Sequence, residues 1–321
     1  MSSSPQLSGD FCGLAVQMLE SLGLSSAQVD VLNATAFELS KMPGVIAVVL
    51  GGSYARRAAR PDSDLDVGLY YFKNSPPDIE AIRRCAETIS VPNSPPTVVD
   101  YYKWGPWING GAWIQTAMGK MDLLYRNIEQ VQRVIDESQE GLYQHDYYQQ
   151  PTFGFVSITY LAEIKCCLPL FDPQHLLQKL KRSVEIYPAA LQQKMILNCL
   201  TTAEFTLSHA HGFADRGDLL NTIGCLTKIA FVLLQSLFAL NVEYYFGDKG
   251  SLEAVDRFPI QPSFFRPAPG ITGDADANTA RPQIRHAPDS DAMEGDRRPR
   301  WGPVYPKVRS HRSGSPHPFS K

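Results

Sequence analysis

The 321-residue sequence has little excess charge of either sign, with 30 lysines and arginines against 33 aspartates and glutamates and a formal net charge of −3. With a pI near 6.2 it offers a polyanion no bulk attraction, so nucleic acid is not the expected partner. Cysteine is scarce too. The six cysteines, at 12, 85, 166, 167, 199 and 225, form no Cys-x-x-Cys pair with metal spacing and fall mostly inside apolar helical patterns. They read as reduced core residues, which points to an intracellular chain. The start Met-Ser-Ser-Ser-Pro-Gln lacks the basic and apolar regions of a signal peptide. No apolar run reads as reaching the roughly 18 residues of a membrane span. The expectation is a soluble, cytoplasmic protein with no membrane partner.

What is present is ordinary globular composition, 44% hydrophobic and 20% charged, in a chain long enough for two domains. The sequence is organised around residues 44–71. Val45 to Leu50 is continuous, apolar and mostly β-branched, which predicts a strand covered on both faces. Gly51 and Gly52 follow, where the missing Cβ lets the backbone turn tightly and come close to a ligand. A second strand opens with Asp64-Leu65-Asp66, whose period of two puts both carboxylates on one face. Paired acids call for a cation. Magnesium answers that demand, because it takes carboxylate oxygens, keeps several waters and draws its remaining ligands from substrate phosphates. Two such ions roughly 4 Å apart clamp the attacking and leaving oxygens of an in-line phosphoryl displacement.

The whole pattern is an apolar strand, Gly52-Ser53-Tyr54-Ala55-Arg56, a short spacer, and Ser63-Asp64-Leu65-Asp66-Val67. It resembles the signature of the polymerase-β-like nucleotidyltransferase superfamily, closest to its minimal and aminoglycoside-type members. Where those proteins usually carry glycine after the Ala-Arg pair, this chain has Arg57.

Along the chain, residues 8–22 and 26–42 read as amphipathic helices, the second capped by Ser25 or Ser26 and stopped by Pro43-Gly44. After the strand from Leu65 to Phe72 comes a helix over 78–89, a short strand candidate over 97–102, and a hairpin of 112–117 with 120–125 turning near Met118-Gly119. That hairpin carries Asp122 between apolar neighbours, costly to bury unless it meets a cation. In the resembled superfamily a third acid comes from a later strand of the same sheet. Asp122 fits that place better than Asp100, because Asp-Leu-Leu-Tyr-Arg leads into a helix over 128–140.

From about residue 152 helices take over, at 154–167, 174–183, 188–211 and 216–241. The last two carry apolar stripes, Leu197, Leu200, Phe205 and Leu207, then Ile223, Leu226, Ile229, Leu233, Leu237 and Leu240, which read as core. Asp218 stands at a helix start, where its commonest role is capping, against a role in holding an acceptor. After Phe265 the sequence turns to Pro, Arg, Asp, Gly and Ser with few large apolar residues, a composition read as disordered.

The expected class is α+β: a mixed nucleotidyltransferase sheet flanked by helices over 1–150, a helical acceptor-binding domain over 151–265, and a disordered tail over 266–321. The resemblance implies transfer of a nucleoside monophosphate, most simply AMP from MgATP, to a hydroxyl of a small molecule or protein. Asp64, Asp66 and Asp122 would be the metal ligands and catalytic acids. Gly52, Ser53, Arg56, Ser63 and Lys249 would hold the nucleotide. The alternative is a nucleotidyltransferase fold that binds or regulates with weak or no catalysis.

Overall fold

The strand Val45–Leu50 (β1) forms at the centre of the sequence signature, and the rest of the sheet is arranged around it. The computed structural model describes residues 16–150 and 152–262. The expected tail over 266–321, and residues 8–15 of the first expected helix, lie outside the described residues. Before β1 come α1 (Val16–Glu20) and α2 (Ser26–Ser40). In α2, Ser25 and Gln28 form a reciprocal capping box, so the expected N-cap is Ser25. After β1, Gly52–Ala55 makes one helical turn (α3) and Leu65–Tyr71 forms β2. Then follow α4 (Ile79–Ile89), β3 (Thr97–Val98), β4 (Gly111–Thr116), β5 (Gly119–Asn127) and α5 (Ile128–Gln139). The ribbon β6 (His145–Asp146) and β7 (Phe155–Val156) precedes α6 (Thr159–Cys166), β8 (Leu168–Phe171) and α7 (Leu176–Ser183). Two long helices, α8 (Ala189–Asp215) and α9 (Leu219–Leu240), and the short α10 (Ser251–Val255) complete the described chain.

The six-stranded sheet has the order β3-β4-β5-β2-β1-β8. All its neighbours are antiparallel except β2 and β5, which run parallel. The mixed sheet and its flanking helices are the expected α+β class. Strand alternation divides the core into two layers. Val48, Leu50, Leu65, Val67, Leu69, Met121 and Leu123 pack with α1, α2 and α4 on one face. Ala47, Val49 and Tyr70 face the other way, with α5 to α9. The Asp64, Asp66 and Asp122 positions share this second face, toward the later helices.

Several sequence expectations change. The helix expected over 154–167 begins only at Thr159, and Phe155–Val156 before it is a strand paired with His145–Asp146. Leu168–Phe171, expected to follow directly on a helix without strand character, is an edge strand paired with β1. Pro169 explains both facts, since proline ends α6 and is tolerated at a sheet edge, where one side of the strand needs no donor. The apolar stripes of α8 and α9 are only partly core. Leu197, Leu200, Phe205, Leu207, Ile223, Leu226, Leu233 and Leu240 are exposed. Over this distal stretch α8 turns small residues inward instead, Cys199, Ala203, Thr206 and Ala210. Finally, α9 is a 22-residue helix with an 18-residue stretch of mean hydropathy 1.9, long and apolar enough to cross a membrane, contrary to the expectation that no run reaches that length. Its C-terminal half, from Phe231 to Ala239, is largely buried in the protein core.

Candidate active site

The turn after β1 is fixed to β2 by a backbone hydrogen bond from Gly51 N to Asp66 O at 2.8 Å. Gly52 takes a positive φ of 60°, and a Cβ there would lie 1.7 Å from Asp66 Oδ2. Glycine is therefore required twice, by conformation and by the close approach of the carboxylate. Parallel pairing of β2 with β5 sets Asp66 opposite Asp122 in register. Asp64 is two residues back along the same face, so three acids converge on one patch of sheet.

Three acids in one patch repel, and the ionisation of two of them shows it. Burial, then Asp122 and Asp64, pushes the Asp66 carboxyl up to about 6 against the opposing pull of Lys249 and Arg56. Burial also raises Asp122, with Lys120 opposing. The sequence reading missed Lys120. Its Nζ lies 3.0 Å from Asp64 Oδ2 and 3.2 Å from Asp122 Oδ1. Burial pulls the Lys120 amine down, but its hydrogen bonds to Asp64 and Asp122 outweigh this and raise it. The contact with Asp122 Oδ1 lacks hydrogen-bond geometry, and this buried oxygen has no hydrogen-bond partner. Among the described residues no three His, Cys, Asp or Glu side chains are grouped as a metal site as they stand. The ammonium of Lys120 stands between two of the acids, where a metal cation would neutralise them.

A cleft of roughly 410 Å³ opens beside Asp66, lined by Gly52, Ser53, Arg56, Arg126, Glu163 and Lys249 among others. Arg56 donates from Nε to Gly52 O at 3.3 Å, and its guanidinium lies 3.9 Å from the centre of the Phe246 ring. Lys249 is brought in by a loop that is itself tied down. Asp248 accepts hydrogen bonds from the Tyr245 hydroxyl and, at 2.9 Å, from Thr152 N. At the floor, buried Arg126 makes a two-pronged ion pair with Glu163 of α6, both contacts 2.8 Å. Sequence reasoning missed this pair as well, although Arg126 follows Asp122 at the even spacing that keeps it on the same face.

The expected residues are not all brought together. Gly52, Ser53, Arg56, Asp66 and Lys249 line one cleft, and Asp64 and Asp122 adjoin Asp66. Ser63 serves the loop instead, where its Oγ accepts from Arg60 N at 2.8 Å. Asp100 lies beyond the end of β3, with its carboxylate accepting from Tyr101 N, and Asp218 caps α9 by accepting from Asn221 N. Arg57 has a positive φ of 55°, which is the physical reason a glycine suits that position.

Residues 33–106 match the nucleotidyltransferase domain family, a stretch that contains β1, α3 and β2 with Asp64 and Asp66 and ends before β5. No curated protein matches the chain. Among solved structures, a nucleotidyltransferase-like protein from Exiguobacterium sibiricum 255-15 is similar at 8% identity with a TM-score of 0.35. The alignment covers 69% of this chain and 59% of that one, so the chain spans less than two thirds of that neighbour's length. Through residues 33–106, the stretch that holds the glycine turn, Asp64 and Asp66, this chain is similar to the nucleotidyltransferase domain family.

Proposed function

We propose that the protein transfers a nucleoside monophosphate, in the simplest case AMP from ATP, to a hydroxyl of a small molecule or protein. The observation that carries this reading is the convergence of Asp64, Asp66 and Asp122 on one face, beside a glycine turn that only a Cβ-free residue can make. The acids also suit a hard cation such as magnesium. Asp122 Oδ1 is buried without a hydrogen bond, and Asp66 is held near 6 by burial and its two acidic neighbours. Magnesium ions held by the three carboxylates would neutralise the triphosphate and the charge that develops as pyrophosphate leaves.

The chain's own groups supply the rest. Backbone amides of the Gly52–Ser53 turn and the Ser53 hydroxyl offer donors to the triphosphate. Arg56, braced on Phe246, and Lys249, fixed by the Asp248 contacts, add positive charge on the cleft side of Asp66. The acceptor oxygen would attack the α-phosphorus, the bond to the bridging oxygen would break, and pyrophosphate would depart. The hydroxyl proton would pass to Asp122. Lys120 would withdraw from Asp64 and Asp122 when the metal-bound nucleotide arrives.

A second reading rests on Lys120, whose ammonium already offsets Asp64 and Asp122 without any metal. On that reading the protein binds a nucleotide and does not turn it over. Nucleotides labelled at the α-phosphate, incubated with magnesium and a mixture of hydroxylated acceptors, separate the two. Label passing to an acceptor with pyrophosphate release, lost in Asp66→Asn, supports the enzyme. Nucleotide binding without label transfer supports the binding module.

A further inference from the structure

The distal halves of α8 and α9 carry an apolar face that nothing in the described chain covers. On α9, Leu219, Ile223, Leu226, Ala230 and Leu233 are spaced four, three, four and three residues apart, the a/d repeat of a helix that packs along a partner helix. All five are solvent-exposed, Leu219 by 69%, Ile223 by 53% and Leu226 by 51%. This seam is not the one used inside the molecule. The half-buried side of this stretch of α9 runs through Thr222, Cys225 and Ile229, about 100° around the helix.

The companion helix presents a matching seam. Leu200 and Leu207 stand about 90° from the small residues Cys199, Ala203, Thr206 and Ala210 that α8 turns inward. Because the two helices are antiparallel, these two offsets of the same rotational sense bring both seams to one flank of the hairpin. From their fractional exposures, Leu200, Leu207, Leu219, Ile223, Leu226 and Leu233 present on the order of 500 Å² of apolar surface there. That equals the apolar share, about 60%, of a standard interface of roughly 800 Å² per partner.

We propose that this flank is a homodimer interface, in which the α8–α9 hairpins of two copies pack about a two-fold axis into a four-helix bundle. A flank built of two antiparallel helices is self-complementary under a two-fold, and the 3.5-residue repeat is the spacing of helix-to-helix packing in such bundles. Charge argues against a lipid surface as the occupant. From 197 to 233 the hairpin carries the acids Glu204, Asp215 and Asp218 against the bases Arg216 and Lys228, without the basic face of an interfacial helix.

The test is sedimentation of the full chain across micromolar concentrations. The wild type is expected at twice its 35.7 kDa mass. The Ile223→Asp/Leu226→Asp double variant is expected as a monomer with an unchanged circular dichroism spectrum, since both side chains are exposed. Ile186→Asp, a change at an exposed apolar residue outside the hairpin, is expected to leave the dimer intact. A wild type that is monomeric throughout, or a dimer that survives the double variant, overturns the proposal. So does a monomeric wild type that floats with vesicles of mixed zwitterionic and anionic lipid, which would assign the flank to a membrane surface. If the double variant also loses its helical signal, Leu200→Asp and Leu207→Asp on the other helix decide the question by the same mass measurement.

Discussion

Asp66 and Asp122 are register partners on the parallel strands β2 and β5, and both carboxyls are raised above their ordinary range, chiefly by burial. The neighbouring charge of Asp122 is the second cause at Asp66, so metal-free protein holds these acids together at a cost.

That cost has a definite pH dependence. Folded Asp66 keeps its proton up to about pH 6, whereas the unfolded residue releases it near the ordinary aspartate value of 3.8. Between these values the folded state binds more protons, so its stability is fully present at lower pH and falls as pH rises through this window, by about 3 kcal/mol. Asp66→Asn is expected to flatten this slope and to raise the thermal midpoint at neutral pH. Unfolding curves from pH 3 to 8 in a chelating buffer check it, and equal slopes in the two proteins would sink the idea.

Lys120→Met separates two roles of the ammonium. Without it, Asp64 and Asp122 lose a cation, and metal-free stability is expected to drop by about 1 kcal/mol, the value of a pair of half-exposed ion pairs. Divalent-ion affinity is expected to rise about tenfold, because the competing internal cation is gone. Manganese binding followed by electron paramagnetic resonance measures this directly. An unchanged or weaker affinity would mean that Lys120 does not compete for the acids.

Asp122→Asn keeps the shape of the side chain and removes the charge. Nucleotide is expected still to bind through Asp64, Asp66 and the Gly52–Ser53 turn, while transfer falls by orders of magnitude. Asp100→Asn is expected to leave transfer unchanged, since the Asp100 carboxylate accepts from the neighbouring Tyr101 amide beyond the end of β3. The reverse pattern in a transfer assay would put the third acid elsewhere.

The strand–turn–strand signature was legible because its signals are local. A β-branched run bounded by glycines, then acids two apart, dictates a face without knowledge of any other element. Lys120 obeys the same period of two with Asp122, yet a lysine at a hairpin start reads as solvated, and only the pairing of β5 with β2 turns it toward Asp64. The Arg126–Glu163 pair joins residues 37 apart, a separation at which sequence spacing says nothing. The stripes of α8 and α9 misled in a different way. Periodicity shows that a face is apolar and not which partner covers it, so exposed Ile223 and Leu226 read as core.

Arg57 tests the loop rather than the chemistry. A left-handed conformation costs a non-glycine residue about 1–2 kcal/mol, while glycine adds entropy to the unfolded chain worth somewhat less. Arg57→Gly is therefore expected to stabilise the protein by roughly 0.5 kcal/mol. A clear fall in the denaturation midpoint would show that the Arg57 side chain makes a stabilising contribution of its own.

Asp64, Asp66 and Asp122 are together expected to form a cation-dependent nucleotide site. Isothermal calorimetry with a non-hydrolysable ATP analogue, with and without magnesium, tests it most directly. Binding is expected to need magnesium in the wild type and to be lost in Asp66→Asn. Binding that is indifferent to magnesium, or retained in full by Asp66→Asn, would contradict it.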